Sequence, residues 1–409
     1  VRFYSSQGES LSFELLQKVE HDFLWIYRRN QEMPGDAQRD PAIRDIKQKL
    51  TNEILAFRDQ INQDEGFVTY KTLVGFESVF PPAWENPNFE VEAEQAYCDG
   101  EIQRLADGVD EQNAERWLGI IRRCAQTKSN DMATFPSLGN FLERLATKKP
   151  GIALRYLDDI DRDLEPFLPA VLSGLEVSAA EAVKAKVAAW VADKRYLQRI
   201  VWYYRFSRSV DIAAVKRAAA VAMEVCEERA VSIAVEVAAA RYKDLGEEVI
   251  EGILLPGIDW LEQHGHRRWL GGGLSIVHGK DSPFRNLTEQ QARRVLDHLV
   301  ARESIDPRID YLLGAIGEGH PKVIVEFLGS RVRREREVKA DREALARYEA
   351  IPFQFHKANE VLKKVTDYML QQMRVWYGED SKLFSLRAGR LTHSVYQKIT
   401  PELAAAFTG

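Results

Sequence analysis

The apolar residues of this chain recur mostly at helical steps. Beyond Leu11, the residues Leu16, Val19, Phe23 and Ile26 recur at intervals of three and four, which puts them on one side of a helix. A second stripe, Ile43, Ile46, Leu50, Ile54, Phe57 and Ile61, is opened by Asp40 as a natural N-cap and Pro41 at the first helical position. The Met33-Pro34-Gly35-Asp36 turn between the two predicts an antiparallel hairpin. Only the stretch from Phe67 to Val74 has the β-branched and aromatic content of a strand. Pro81-Pro82 and Asn86-Pro87-Asn88 then mark a loop.

Helical periods continue over roughly 91–106, 110–126, 137–147, 150–159 and 164–175, with long ones at about 178–205, 211–224 and 226–243. A last group lies near 246–264, 288–302, 307–317, 321–336, 341–349, 357–377 and 388–397. The connections are short, which favours antiparallel neighbours, and alanine runs such as Ala218 to Ala220 and Ala238 to Ala240 let helices approach closely. The pattern predicts an all-α protein of stacked antiparallel helix pairs, α-solenoid-like and elongated. Three regions are expected: an N-terminal helical region over 1–108, a repeat array over 109–350 and a C-terminal helical region over 351–409.

Two segments repeat one order of residue types. Phe141-Leu142 precedes Pro150-Gly151-Ile152-Ala153-Leu154-Arg155-Tyr156-Leu157, and Tyr311-Leu312 precedes Pro321-Lys322-Val323-Ile324-Val325-Glu326-Phe327-Leu328. One helix ends, proline starts the next with its preset φ, and an aromatic and a leucine bury a turn later. Units of about 35 to 45 residues of this kind cannot bury both faces alone, so they stack. In this the sequence resembles the HEAT or armadillo class of α-solenoids, over residues 110 to 350. The charged helical chain running into Phe353-Gln354-Phe355-His356-Lys357-Ala358-Asn359 is more faintly similar to the C-terminal sensor regions of bacterial anti-phage NTPases of the STAND class. That resemblance implies a context, a sensor within a longer defence or signalling protein, and assigns no residue a role. A chain that opens with Val1 and stops just after an expected helix over 401–407 also reads as a piece of a longer one.

Composition narrows the field. The 409 residues carry 56 basic and 62 acidic side chains, a formal net charge of −6, so no whole-molecule field gathers nucleic acid or anionic lipid. Most of the acidic excess lies in residues 1–130. Cys98, Cys124 and Cys226 are too few and too scattered for a disulfide framework or a four-ligand zinc site, and read as core fillers in a cytoplasmic protein. Neither a signal peptide nor an apolar run of membrane-spanning length is present, so no membrane partner is expected.

Candidate chemistry is sparse. The segment from His264-Gly265-His266-Arg267-Arg268 through Gly271-Gly272-Gly273 to His278-Gly279-Lys280-Asp281 has the wrong spacing for a phosphate-binding loop and Asp281 where a hydroxyl is needed. Its three histidines lack the spacing of a metal site, and Arg267 and Arg268 would repel a cation. The acids Asp158, Asp159, Asp161 and Asp163 crowd a helix junction, where carboxylates cap the next helix. With no nucleophile elbow and no hydrolase context, no catalytic residue, cofactor or metal is expected. The mixed-sign run Arg331-Val332-Arg333-Arg334-Glu335-Arg336-Glu337 reads as an exposed helix.

Residues 194–208 differ in character. Lys194, Arg195, Arg199, Arg205 and Arg208 are interleaved with Tyr196, Trp202, Tyr203, Tyr204 and Phe206, and no acid falls between Asp193 and Asp211. Arginine with aromatics is the composition of protein hot spots and also of nucleic-acid grooves. The helical spacing sends Leu197, Val201 and Tyr204 to the core and assigns Arg199, Trp202, Tyr203, Arg205 and Arg208 to a partner-binding surface. The expected function is a non-catalytic binding or sensor region that recognises a protein. The alternatives are a nucleic-acid-binding solenoid using the same ridge, an enzyme with an unrecognised site, or an aromatic core face with a solvated basic side.

Overall fold

The computed structural model describes residues 12–31, 41–75, 78–86, 91–127, 136–270, 281–340, 348–377 and 381–396. Among them the fold is all-α, without a strand, and consists of stacked helix pairs as the periodicity predicts. The chain divides into two compact units, Val1–Lys186 and Val187–Gly409, so neither 108 nor 350 is a boundary between them. Helices on the two sides of each of those positions pack on one another, as described below.

In the first unit α1 (Phe13–Gln31) and α2 (Pro41–Ile61) pair through Leu16, Leu24, Ile54, Phe57 and Ile61. The turn expected at Met33 to Asp36 lies outside the described residues. The α2 stripe is half used: Ile54, Phe57 and Ile61 are buried, whereas Ile43, Ile46 and Leu50 are exposed. The stretch with strand content is instead a helix, α3 (Glu65–Val74). Asp64 caps it by accepting from the Gly66 and Phe67 amides, and Gly75, at φ +79°, ends it. Phe67, Tyr70, Leu73 and Val74 are all buried, and this packing outweighs a modest β preference.

After the short α4 (Pro81–Glu85) come α5 (Val91–Asp107), α6 (Ala114–Ala125), α7 (Pro136–Lys148), α8 (Pro150–Asp158) and α9 (Leu168–Ser178). Helix α7 packs on α5, across residue 108, and on α9, two elements away on either side, which is the contact pattern of stacked pairs. Gly174 makes the second contact close enough that a Cβ there would stand 2.1 Å from the Glu143 carbonyl oxygen. Ion pairs bind each element to one a pair away, Arg144 to Asp99 at 2.9 Å and Arg122 to Asp159 and Asp161 at 2.7 and 2.8 Å. Of the crowded acids, Asp159 and Asp161 thus pair with Arg122, Asp158 pairs with Lys186 and Asp163 accepts from Gln126, while Asp161 also accepts from the amides of Asp163 and Leu164.

The unit boundary falls inside α10 (Ala180–Ala192). The second unit continues with α11 (Leu197–Phe206), α12 (Ile212–Glu224), α13 (Glu228–Ala240), the short α14 (Tyr242–Leu245), a π-helical turn over Ile250–Leu254 and α15 (Leu255–Gln263). It ends with α16 (Glu289–Asp297), α17 (Pro307–Gly319), α18 (Pro321–Ala340), α19 (Ala358–Leu362), α20 (Thr366–Tyr377) and α21 (Ser381–Tyr396). One row runs α11, α13, α15, α16, α18, α20, and a second runs α17, α19, α21. Both rows cross residue 350. The long helix expected over 178–205 is broken, because Lys194 and Tyr196 are left-handed at φ 58° and 56°.

The same stop recurs along this unit. A left-handed residue at Lys194, Cys226 or Gly265 is followed by an amide that reaches back five residues: Arg195 to the Trp190 oxygen, Glu227 to that of Ala222, His266 to that of Leu261, at 2.8 to 2.9 Å. The matched segments also play one role. Pro150 and Pro321 each open a helix, and Phe141, Leu142, Tyr156 and Leu157 are buried in one copy as Leu312, Phe327 and Leu328 are in the other.

Arg331 departs from the exposed-helix expectation for 331–337. It is fully buried and donates to the carbonyls of Ala350, Leu299, Val300, Arg302 and Glu349 at 2.6 to 3.2 Å. Those carbonyls belong to the turns after α16 and before α19, where regular helix bonding has ended. Val332 and Glu335 are buried too, and only Arg333 and Arg334 of the described part of that run face solvent.

Candidate partner-binding surface

The turn that breaks the expected long helix shapes the start of the basic aromatic segment. Lys194 pairs with Glu224 at 2.7 Å, the Tyr196 ring meets Trp190 edge-on at 5.3 Å, and the Arg195 guanidinium lies 4.8 Å from the Tyr196 ring centre and donates to its hydroxyl. Helix α11 then runs for only ten residues. Ser207 ends it, its amide bonding to the Tyr203 carbonyl at 3.0 Å.

Within α11, Leu197, Ile200, Val201, Tyr203 and Tyr204 form the buried side. Tyr203 is therefore a core residue, only 4% exposed, and does not share a surface with Trp202 as its neighbour in sequence was expected to. At 100° per residue it sits about 60° beyond Ile200, on the side away from Tyr204, and the packing of α11 on both α12 and α13 widens the buried arc to include it. Trp202 and Phe206 remain outside, 37% and 60% exposed. Arg199 is half-buried, and Arg208 is exposed beyond the helix end.

Arg205 organises the exposed pair. Its guanidinium lies 5.1 Å from the Trp202 ring centre and 5.7 Å from that of Phe206, and the two rings meet edge-on at 5.5 Å. The same guanidinium donates to Glu236 of α13 at 2.7 Å. Burial raises the Glu236 carboxyl above the ordinary carboxylate range, and the charge and hydrogen bond of Arg205 oppose that rise. Arg205 is thus both an intramolecular anchor and the edge of the surface. The i, i+4 spacing of Trp202 and Phe206 is readable in the sequence, whereas Glu236, distant along the chain, carried no signal.

The other candidate groups are placed as follows. His264 stacks on Trp260 with centroids 4.1 Å apart, and its Nδ1 lies 2.8 Å from the Trp260 carbonyl oxygen. His266 Nδ1 lies 3.1 Å from Glu228. His278 and the glycines at 271–273 fall outside the described residues. Among the described residues no group of three or more His, Cys, Asp or Glu side chains is arranged to hold a metal ion, and no helix is long and apolar enough to cross a membrane. Cys98 and Cys124 are buried, with thiols pushed up to about 12 by burial, whereas Cys226 is exposed and so is not a core filler.

Fold and surface together define a class, an all-α protein of stacked helix pairs with an arginine-held aromatic pair on one helix. No protein-family model, curated protein or solved structure matches the chain.

Proposed function

We propose that this chain is a non-catalytic helical-repeat region, of the HEAT or armadillo kind, that recognises a protein partner through the surface built on α11. The observation that carries the reading is the pair of exposed rings held by Arg205, itself tied to Glu236. Side chains already fixed in place lose little freedom on binding, and tryptophan with arginine is the usual composition of an interface anchor. Arg199 and Arg208 flank the rings and favour an acidic rim on the partner. A role as the sensor of a longer defence or signalling protein in the cytoplasm fits such a region and rests on the resemblance to the STAND class.

A photo-crosslinking residue placed at Phe206, with a control at the exposed Arg334 position, tests the reading. A protein captured from position 206 alone, and lost on Trp202→Ala, supports it. Capture of nucleic acid instead would replace it with the nucleic-acid reading.

A further inference from the structure

A cavity of about 470 Å³ lies in the second unit between α17 and α19, apart from the α11 surface. Its floor is Gly314 and Ala315, and a Cβ added at Gly314 would come within 3.0 Å of the Lys357 Cβ, so only the smallest residue keeps the space and leaves Lys357 in place. Tyr311 forms one wall. The opposite wall carries Lys357, Glu360 and Lys364, whose spacing of three and four puts them on one side of the helical stretch that starts at Ala358.

This wall is fixed from behind. The buried carboxylate of Asp310 accepts from the amides of His356, Lys357 and Ala358 at 2.7 to 3.0 Å, which pins the backbone of Lys357. At the mouth Arg285 is already paired with Glu318, while its Nε is buried without a hydrogen-bond partner among the described residues. The remaining acid, Glu360, is well exposed and touches Lys357 only at 3.8 Å. A pair so open is worth at most about 1 kcal/mol, so a stronger anion can displace it. With Glu360 displaced, the cations that line this space beside the Arg285–Glu318 pair are Lys364 and Lys357, whose ammonium lies 5.8 Å from the Tyr311 ring centre.

We infer that this cavity binds a small phosphomonoester, its phosphate between Lys357 and Lys364 and its organic part against Tyr311. Two cations match a dianion, and the volume suits a ligand of nucleotide size. The site stands independently of the α11 surface.

The test is calorimetric titration of the whole chain with adenosine 5′-monophosphate, adenosine and inorganic phosphate. Saturable binding of the monophosphate is expected, with adenosine and phosphate each weaker by about tenfold or more. Lys364→Ala and Lys357→Ala should each weaken it by about tenfold, and Glu360→Gln should tighten it severalfold. All three changes sit on the outer wall, and circular dichroism of each variant should match the parent. Opposite effects of Lys364 and Glu360 are what a purely structural role would not produce. No saturable binding at millimolar concentration, adenosine binding as well as its monophosphate, or Glu360→Gln weakening the complex would overturn the proposal.

Discussion

Lys71 in the first unit and Arg331 in the second are both removed from water, yet their surroundings have little in common. The Lys71 ammonium lies 3.0 and 3.1 Å from the two oxygens of Glu20, itself fully buried, and also donates to Asn62 and to the Val79 carbonyl at 2.5 and 2.7 Å. Arg331 spreads its donors over five backbone carbonyls instead. Burial lowers both pKa values; the charge and hydrogen bonds of Glu20 oppose it at Lys71, while at Arg331 the opposition comes only from the charges of Tyr348, Glu349 and Glu335. A compact ammonium suits a counter-charge, whereas a five-donor fork can serve many carbonyls at once. Lys71 thus joins α3 to α1 through a side-chain pair, and Arg331 closes the turns around α18.

The largest effect is expected at Arg331. Arg331→Met strips several carbonyls of their donor together and should cost about 3–5 kcal/mol, read from urea unfolding. Arg331→Lys keeps the charge but not the fork and should recover less than half of that. A loss under about 1 kcal/mol for Arg331→Met would break the comparison.

Lys71 should behave differently because its partner can be removed with it. Lys71→Met alone strands the buried Glu20 carboxylate and should destabilise by about 3 kcal/mol, while Lys71→Met with Glu20→Leu should regain most of the loss. If the double variant is no better than the single one, Glu20 is not the group that Lys71 neutralises.

The units also differ in their response to alkali. Cys98, Cys124, Tyr70 and Tyr156 all lie in the first unit, and burial pushes each up to about 12, from 9.0 for the thiols and 10.0 for the phenols. Their folded values exceed the unfolded ones, so their contribution is complete below pH 9 and is lost as the pH rises from 9 through 12. Lys71 acts the other way, since its lowered pKa means that its penalty relaxes as the pH climbs toward 10.5, but it is one group against these four and Tyr97, whose phenol burial also raises. The first unit should therefore lose on the order of several kcal/mol between pH 8 and 10.5, most of it from the two thiols, which amide exchange resolved along the chain would show. Cys98→Ala with Cys124→Ala should flatten that loss. An equal loss in both units would contradict it.

Charge separates the units as well: residues 1–186 hold 22 basic and 32 acidic side chains, and residues 187–409 hold 34 and 30. The basic aromatic segment thus belongs to the more basic unit.

What the sequence revealed follows the range of the physics. Helical periodicity is local, so most helices and the paired Pro150 and Pro321 starts could be read directly. The stretch from Phe67 to Val74 was ambiguous because its β-branched residues pull against a cap, Asp64, whose geometry only the fold supplies. The break after Trp190 rests on left-handed Lys194 and Tyr196, residues without glycine's freedom, so no breaker marks it. Tyr203 was misplaced because α11 is covered by two helices, α12 and α13. Arg331 and Glu236 depend on partners far along the chain, and a mixed-sign run looks the same whether one of its arginines is buried or not.

The smallest stability effect is expected where the effect on binding should be greatest. Trp202→Ala removes a side chain that is 37% exposed and should cost about 1–2 kcal/mol in folding. Arg205→Ala is less clean, because it leaves Glu236 without its cation. The deciding measurement is the affinity of the parent chain and of Trp202→Ala for the protein crosslinked at position 206, at low and high salt. A loss of about 2 kcal/mol or more, roughly thirtyfold, that changes little with salt is the predicted result. Equal affinity of the two chains, or an affinity that falls steeply with salt and belongs to a nucleic acid, would contradict it.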